Sequence, residues 1–205
     1  MSSHQREPRN EPPVLNIANV LTIVRLILVP VFILVYWEAT PGRAWIACAV
    51  FVVAAITDKL DGYLARSRNL VTDFGKLADS IADKALISAA LIMLSWHGYL
   101  WWWVTVLMIG RELAITLMRM ALVRRQVMAA GKGGKIKMVF QSVGIGMLLA
   151  PWHSFLPGTL ATAAMWLCYA LLGIALYYSL SSAVGYVHDA QRIIRQAKEA
   201  DDSQD

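Results

Sequence analysis

Residues 57–84 read TDKLDGYLARSRNLVTDFGKLADSIADK, and this stretch separates two apolar segments of the chain. Asp58 and Asp61 are three positions apart in it, and Asp79 and Asp83 are four positions apart. Either spacing places both carboxylates of a pair on one face of a helix. The stretch therefore predicts two helix ends joined by a short loop, folded antiparallel so that the two acidic faces meet.

The segments around this stretch are apolar enough to enter a bilayer. The chain has 205 residues, of which 58% are hydrophobic and 16% charged, whereas soluble domains are roughly a quarter charged. Six apolar runs approach the roughly 20 residues that cross a bilayer; they cover residues 19–37, 44–57, 80–96, 101–123, 136–150 and 160–184. The second and fifth runs reach spanning length only by continuing through the polar residues 58–64 and 131–135. We predict an all-α integral membrane protein with six transmembrane helices enclosing a polar cavity.

Lys and Arg side chains are distributed unevenly between the two sides of the predicted helices. The three loops on one side contain only Arg43, and the other positive charges lie on the opposite side or in its half of the membrane. The positive-inside rule places both termini and the aspartates in the cytoplasm, so the cavity is expected to open there from the inner (plasma) membrane. An aromatic belt is expected at the outer face; it comprises Trp96, Tyr99, Trp101, Trp102 and Trp103. The net charge of +5 suits an anionic inner leaflet rather than a nucleic acid partner.

The two ends of the chain differ from its centre. Residues 1–16 are polar, contain three prolines and lack the pattern of a cleaved signal, which predicts a flexible cytoplasmic arm. Residues 188–205 predict a cytoplasmic tail that extends the last helix and ends in an acidic tip. Residues 17–187 are then one six-helix membrane domain.

The four paired aspartates suggest a metal site. A charge inside a membrane costs about 3 kcal/mol on insertion scales, so acids placed there usually line a cavity or an ion site. Carboxylates that converge without counter-charges would repel one another, and oxygen ligands without His or Cys favour Mg²⁺ or Mn²⁺. Two such ions about 3.5–4 Å apart form the usual clamp for displacement at phosphorus. The alternative is that the acids only cap helices and pair with neighbouring Lys and Arg.

Three residues among the acids favour the metal site over capping. Gly62 and Ala65 leave room for a ligand, and Arg66 offers a planar set of donors suited to phosphate. Asp73 falls outside both acidic pairs, and we assign it to the loop.

The complete spacing is Asp58-x2-Asp61-Gly62-x2-Ala65-Arg66-x8-Gly75-x3-Asp79-x3-Asp83. It resembles, position for position, the signature of the CDP-alcohol phosphatidyltransferases, integral membrane enzymes with a six-helix core. The segments NIANVLTIVRLILVP, WWVTVLMIGRELAITLMR and GGKIKMVFQ look like the bacterial branch that takes CDP-diacylglycerol and sn-glycerol 3-phosphate and releases CMP. One departure is Ser80, which stands where the resemblance leads us to expect a proline in the first turn of the third helix.

The resemblance implies a role for each motif residue. Two Mg²⁺ or Mn²⁺ ions would be bound by Asp58, Asp61, Asp79 and Asp83, with Asp83 also the general base. The cytidine diphosphate group of the donor would contact Gly62, Arg66, Thr72 and the polar face of the first helix. That face is also visible directly, because Asn19, Thr22 and Arg25 recur every three residues on an apolar helix. Helix capping or a bond to the backbone is the alternative for Asn19 and Thr22.

The acceptor of such a reaction carries a phosphate and needs cations of its own. The candidates are Arg111, Arg119, Lys135 and Lys137. Arg111 and Arg119 are about two helical turns apart and therefore share a face. A buried ion pair with Glu112 is the alternative for Arg111. The resemblance further implies a homodimer among membrane phospholipids.

Two rival functions remain open from the sequence. The same signature serves transferases with other acceptors, namely inositol phosphate, serine, choline-type alcohols, or phosphatidylglycerol to give cardiolipin. From another class, a carrier of divalent cations or phosphate would also contain intramembrane acids and bases. A carrier predicts polar residues that continue to the outer face, whereas the outer halves of these helices, such as VFILVYW, are apolar.

Overall fold

The computed structural model describes residues 17–67, 73–122 and 132–202, and these ranges are almost entirely helical. The helices in chain order are α1 (Ile17–Tyr36), α2 (Pro41–Ser67), α3 (Asp73–Trp96), α4 (Trp102–Leu122), α5 (Lys132–Leu149) and α6 (Gly158–Asp202), with a short 3₁₀ turn at Trp152–Ser154. Each α-helix covers most or all of one of the six apolar runs, and no strand occurs in the described ranges. The all-α prediction is therefore confirmed.

Two of the helices extend through polar residues as the sequence predicted. Helix α2 continues past Asp58 to Ser67, and α5 begins at Lys132. The assignment of Asp73 to the loop is wrong, because α3 already begins at Asp73. An acid in the first turn is favoured there, since its charge lies next to the positive end of the helix dipole.

In the part of the chain that the structure describes, three helices are long and apolar enough to cross a membrane by length and composition: α1, α2 and α6, within Asn19–Tyr36, Pro41–Asp58 and Gly158–Gly185. Every 18-residue segment of α3, α4 and α5 carries at least three ionised residues, so six crossings remain a prediction. Large apolar side chains such as Leu34, Val106 and Trp166 are exposed. Exposed apolar faces on several helices suit contact with hydrocarbon, as expected of a membrane protein.

Small residues allow the helices to pack closely around the centre. Ala47, Ala54, Ala82 and Ala90 are completely buried, together with the larger Phe51. Between α5 and α6, a Cβ atom placed on Gly144 would lie 3.0 Å from Leu172, which is closer than an ordinary contact. Small side chains at such points let helix backbones approach each other within a membrane.

The end of the bundle remote from the acids is aromatic. The side chains of Trp96, Trp101, Trp102 and Trp103 are exposed there. His97 and Tyr36 join α1 to the end of α3, because the His97 Nε2 atom lies 3.0 Å from the carbonyl oxygen of Tyr36 and the two rings meet edge to face. This arrangement suits the aromatic belt predicted at the outer face.

Candidate active site

Arg25 of α1 joins the acidic ends of α2 and α3. Its Nη1 atom donates to Oδ1 of Asp58 at 2.6 Å and to Oδ1 of Asp79 at 2.8 Å. The Arg25 side chain is completely buried, whereas those of Asp58 and Asp79 are 26% and 46% exposed. Two carboxylates from different helices therefore lie on either side of one nitrogen, as the antiparallel hairpin predicted.

The positive charge of Arg25 lies among the acids, which differs from the sequence-based expectation. We expected the carboxylates to converge without a cation and assigned Arg25 to the nucleotide-binding face. The structure instead places its guanidinium between Asp58 and Asp79. The sequence showed that Arg25 lies on the polar face of α1, but a partner 33 or 54 positions away leaves no local signal.

The predicted polar face of α1 points into the protein. Asn19 and Thr22 are both almost completely buried, as is Arg25 one turn further along. Their three-residue spacing therefore reflects one inward face, which ends beside the acids. Contact between this face and a nucleotide remains a prediction.

Asp83 lies one turn after Asp79 in α3 and lines two cavities. It shares the larger one with Asp58 and Arg25, and the smaller one with Glu112 and Lys137. No cluster of three or more His, Cys, Asp or Glu side chains suited to a metal ion occurs among the side chains that the structure describes. The fourth predicted ligand, Asp61, lies outside those side chains, as do Gly62, Arg66 and Thr72.

The donor chemistry of this region nevertheless fits a hard divalent cation. Asp58, Asp79 and Asp83 offer carboxylate oxygens alone, and Arg25 already holds two of them close together. Oxygen ligands of this kind are those that Mg²⁺ and Mn²⁺ prefer. The described acids are thus suitable ligands in type.

The larger cavity has a volume of about 490 Å³ and runs between α2, α3 and α5. Arg25, Asp58 and Asp83 line one end, and Trp45 and Trp152 line the other. The wall between these ends is mainly apolar; it includes Phe51, Val52, Met138, Val143 and Gly146. We expected a polar cavity, but this one is polar at one end only. The remainder forms an apolar groove that extends toward the far side of the bundle.

The smaller pocket contains a cluster of ionised residues from α3, α4 and α5. Glu112 accepts hydrogen bonds from Lys137 Nζ and, at 3.3 Å, from Arg111 Nη1. Arg111 Nη2 also donates to Ser182 Oγ of α6 at 2.5 Å. Lys84 lies in the wall of the same pocket. Two cations, Lys84 and Lys137, and two acids, Asp83 and Glu112, thus line a space next to the larger cavity, and Arg111 joins the cluster through Glu112.

Two of the four predicted acceptor-binding cations therefore come together. Arg111 and Lys137 meet at Glu112, so the alternative of an Arg111–Glu112 pair is present and is extended by Lys137. The side chains of Arg119 and Lys135 lie outside the described part of the chain. Sequence reasoning passed over Gln141, although its four-residue distance from Lys137 places both on one face of α5, and both line the pocket.

Ser80 occupies a different position from the one expected. It lies in the third turn of α3, because that helix begins at Asp73, so it does not affect the first helical turn. Its hydroxyl accepts a hydrogen bond from Lys84 Nζ at 2.6 Å. Serine at this position therefore holds a cation near the acidic end of α3, which a proline could not do through its side chain.

The sequence is similar to known membrane enzymes over most of its length. Residues 15–174 match the family model described as CDP-alcohol phosphatidyltransferase. A probable phosphatidylglycerophosphate synthase of Mycobacterium tuberculosis is 43% identical over 185 residues, which cover 87% of this chain and 83% of the relative. The CDP-diacylglycerol–glycerol-3-phosphate 3-phosphatidyltransferase of Escherichia coli is 38% identical over 169 residues, which cover 80% of this chain and 85% of the relative. These matches show that the chain belongs to the CDP-alcohol phosphatidyltransferase family.

Proposed function

We propose that the protein transfers the phosphatidyl group of CDP-diacylglycerol to sn-glycerol 3-phosphate, giving phosphatidylglycerophosphate and CMP. The relatives from Mycobacterium tuberculosis and Escherichia coli carry names that describe this chemistry. The observation that carries the proposal is the position of Asp83. It lines both an apolar groove and a pocket that contains Lys84 and Lys137, so one carboxylate lies between a proposed site for a lipid and a proposed site for a small phosphate.

The larger cavity suits the lipid donor. Its apolar wall would take an acyl chain, and its acidic end would receive the diphosphate beside Asp58 and Arg25. The hydrophobic effect favours this orientation, because the chain leaves water while the charged group stays with ionised side chains. The proposed contacts to the cytidine diphosphate group are Asn19, Thr22, Gly62, Arg66 and Thr72.

Family members generally depend on a divalent metal, and the acids are suited to bind one. Two Mg²⁺ or Mn²⁺ ions would be held by Asp58, Asp61, Asp79 and Asp83. When bound, such ions neutralise charge on the diphosphate and on the departing CMP. Arg25 contributes a fixed positive charge to the same region, since it is buried between Asp58 and Asp79.

Asp83 is the proposed general base. It takes the proton from the primary hydroxyl of the acceptor, whose oxygen then forms a bond to the phosphorus attached to diacylglycerol. The bond from that phosphorus to the CMP oxygen breaks, and CMP leaves with the electron pair. The phosphate of the acceptor would be held by Arg111, Arg119, Lys135 and Lys137, of which Arg111 and Lys137 already meet at one carboxylate.

The protein is proposed to work at the cytoplasmic face of the inner membrane. Its Lys and Arg residues are concentrated on the side of the acids, which suits a cytoplasmic site with both termini on the same side. A homodimer surrounded by membrane phospholipids is the proposed assembly. Both substrates are reached from that side, the lipid through the inner leaflet and the acceptor from water.

The test is an acceptor panel with the purified full-length chain in detergent. CDP-diacylglycerol and Mg²⁺ are supplied with radiolabelled glycerol 3-phosphate, inositol phosphate, serine or phosphatidylglycerol. We expect a new labelled lipid to form only with glycerol 3-phosphate, and one CMP to be released per lipid formed. Labelling with another acceptor would reassign the substrate. Metal or phosphate uptake into proteoliposomes without CMP release would instead support a carrier.

A further inference from the structure

The carboxylate of Glu112 has no role in the proposed transfer, yet it contacts two of the acceptor cations. The side chains of Arg111 and Lys137 are only 9% and 7% exposed, whereas that of Glu112 is 34% exposed. Glu112 is therefore the most exposed of these three side chains, and it lines the pocket together with Lys137. An anion that enters the pocket thus meets Lys137 already paired with this carboxylate.

The charges explain why Glu112 is needed when the pocket holds no anion. Lys137 is buried, and a buried cation without a partner is strongly destabilising. Glu112 supplies that partner, and Arg111 has a second one in Ser182. Carboxylates and phosphates accept the same hydrogen bonds from Lys and Arg, so either can occupy this position.

We propose that Glu112 is a placeholder anion that neutralises Lys137 until a phosphate monoester arrives, and that it then gives up Lys137 to the phosphate. This inference rests on the proposed function, because it assigns the small pocket to the phosphate of the acceptor. Glu112 is thus a positioning residue, and it acts through the two cations. Its partial exposure gives the displaced carboxylate access to water, which lowers the cost of the exchange.

The exchange also selects for charge. The entering group must compete with a carboxylate of one negative charge. A phosphate monoester carries nearly two negative charges near neutral pH, whereas the phosphodiester of a phospholipid carries one. The placeholder therefore favours soluble phosphate monoesters over lipid phosphodiesters such as phosphatidylglycerol.

The experiment measures thermal unfolding of the full-length protein in detergent with inorganic phosphate as the probe. Replacing Glu112 by Gln leaves Lys137 without a counter-charge, so we expect a lower unfolding midpoint in the absence of phosphate. Phosphate should restore the midpoint, with an apparent affinity at least about tenfold tighter than for the unmodified protein. The matched control is Glu38→Gln, which removes an exposed ion pair with Arg43 and should change neither quantity.

A double variant separates this role from simple structural pairing. Glu112→Gln combined with Lys137→Met removes both charges, so it should regain stability without phosphate and should lose the response to phosphate. The placeholder role is overturned if phosphate stabilises Glu112→Gln no more than the unmodified protein, or if the double variant responds fully. Equal stabilisation of Glu112→Gln by phosphatidylglycerol would overturn the selectivity. These outcomes do not depend on turnover, so the proposed function can fail in the acceptor panel while the phosphate result stands.

Discussion

Arg25 and Asp79 lie 54 positions apart in the chain and are joined by a hydrogen bond of 2.8 Å. The same Arg25 nitrogen donates to Asp58, so one side chain of α1 connects α2 with α3 at their acidic ends. A buried guanidinium requires negative partners, and two adjacent carboxylates require a positive one. The two acids thereby make the burial of Arg25 possible, and Arg25 allows the two acids to lie close together.

Replacing Arg25 by Met should lower the free energy of unfolding by about 2 kcal/mol, because Asp58 and Asp79 would repel each other without a cation. The control is Arg43→Met, which breaks an exposed pair with Glu38 and should cost at most about 0.5 kcal/mol. Thermal unfolding of both variants in the same detergent checks the difference. Equal losses of stability would contradict the role given to Arg25.

Replacing Asp83 by Asn should reduce turnover by about a hundredfold, because the amide cannot accept the proton of the acceptor hydroxyl. Binding of the nucleotide should change much less than turnover does. CMP release and nucleotide binding are measured separately for the variant and the unmodified protein. Near-normal turnover in the variant would remove Asp83 from the role of base.

Replacing Gly146 by Leu should impair use of the lipid donor by filling the apolar groove. The KM for CDP-diacylglycerol is expected to rise about tenfold, while the KM for glycerol 3-phosphate stays unchanged. Gly146→Ala is the control, since a Cβ atom there would lie at an ordinary 3.7 Å from the Phe51 ring. A second control is Gly144→Ala, which presses on Leu172 and should lower thermal stability rather than raise either KM. An unchanged donor KM in Gly146→Leu would show that the acyl chain lies elsewhere.

Replacing Arg111 by Gln should weaken binding of the acceptor. We expect the KM for glycerol 3-phosphate to rise about tenfold more than the KM for the donor, because only the acceptor phosphate would meet this cation. The control is Ser182→Ala, which removes the hydrogen bond to α6 but retains the guanidinium. Equal effects on both KM values would indicate a structural role for Arg111.

The helices were predictable because their signal is local. The length of an apolar run can be read directly from the sequence. The runs in α2 and α5 are too short to span a membrane, and both helices include the neighbouring polar residues, as predicted. The start of α3 differs from the prediction, because an acid such as Asp73 suits a first helical turn although it belongs to neither acidic pair. Boundaries of helices depend on such end effects more than on hydrophobic length.

The acids of the site were predictable, whereas their partners were not. Asp58, Asp79 and Asp83 all lie within one short stretch of sequence. In the structure, the acidic ends of α2 and α3 meet, as the spacing predicted. The contacts of Arg25 with acids in α2 and α3, and of Lys137 with Glu112 over 25 positions, depend on how separate helices pack. A single sequence shows that these residues are polar in an apolar setting, but it does not show which of them touch.

Because of the guanidinium between Asp58 and Asp79, the assembly of the bundle need not depend on the proposed metal ions. A site made only of converging acids would require its ions as part of folding, so that a shortage of metal would leave misfolded chains in the membrane. With an internal cation in place, the helices can associate first and the ions can enter or leave a finished protein. For the proposed enzyme, scarcity of Mg²⁺ would then slow lipid synthesis reversibly without misfolding of the enzyme.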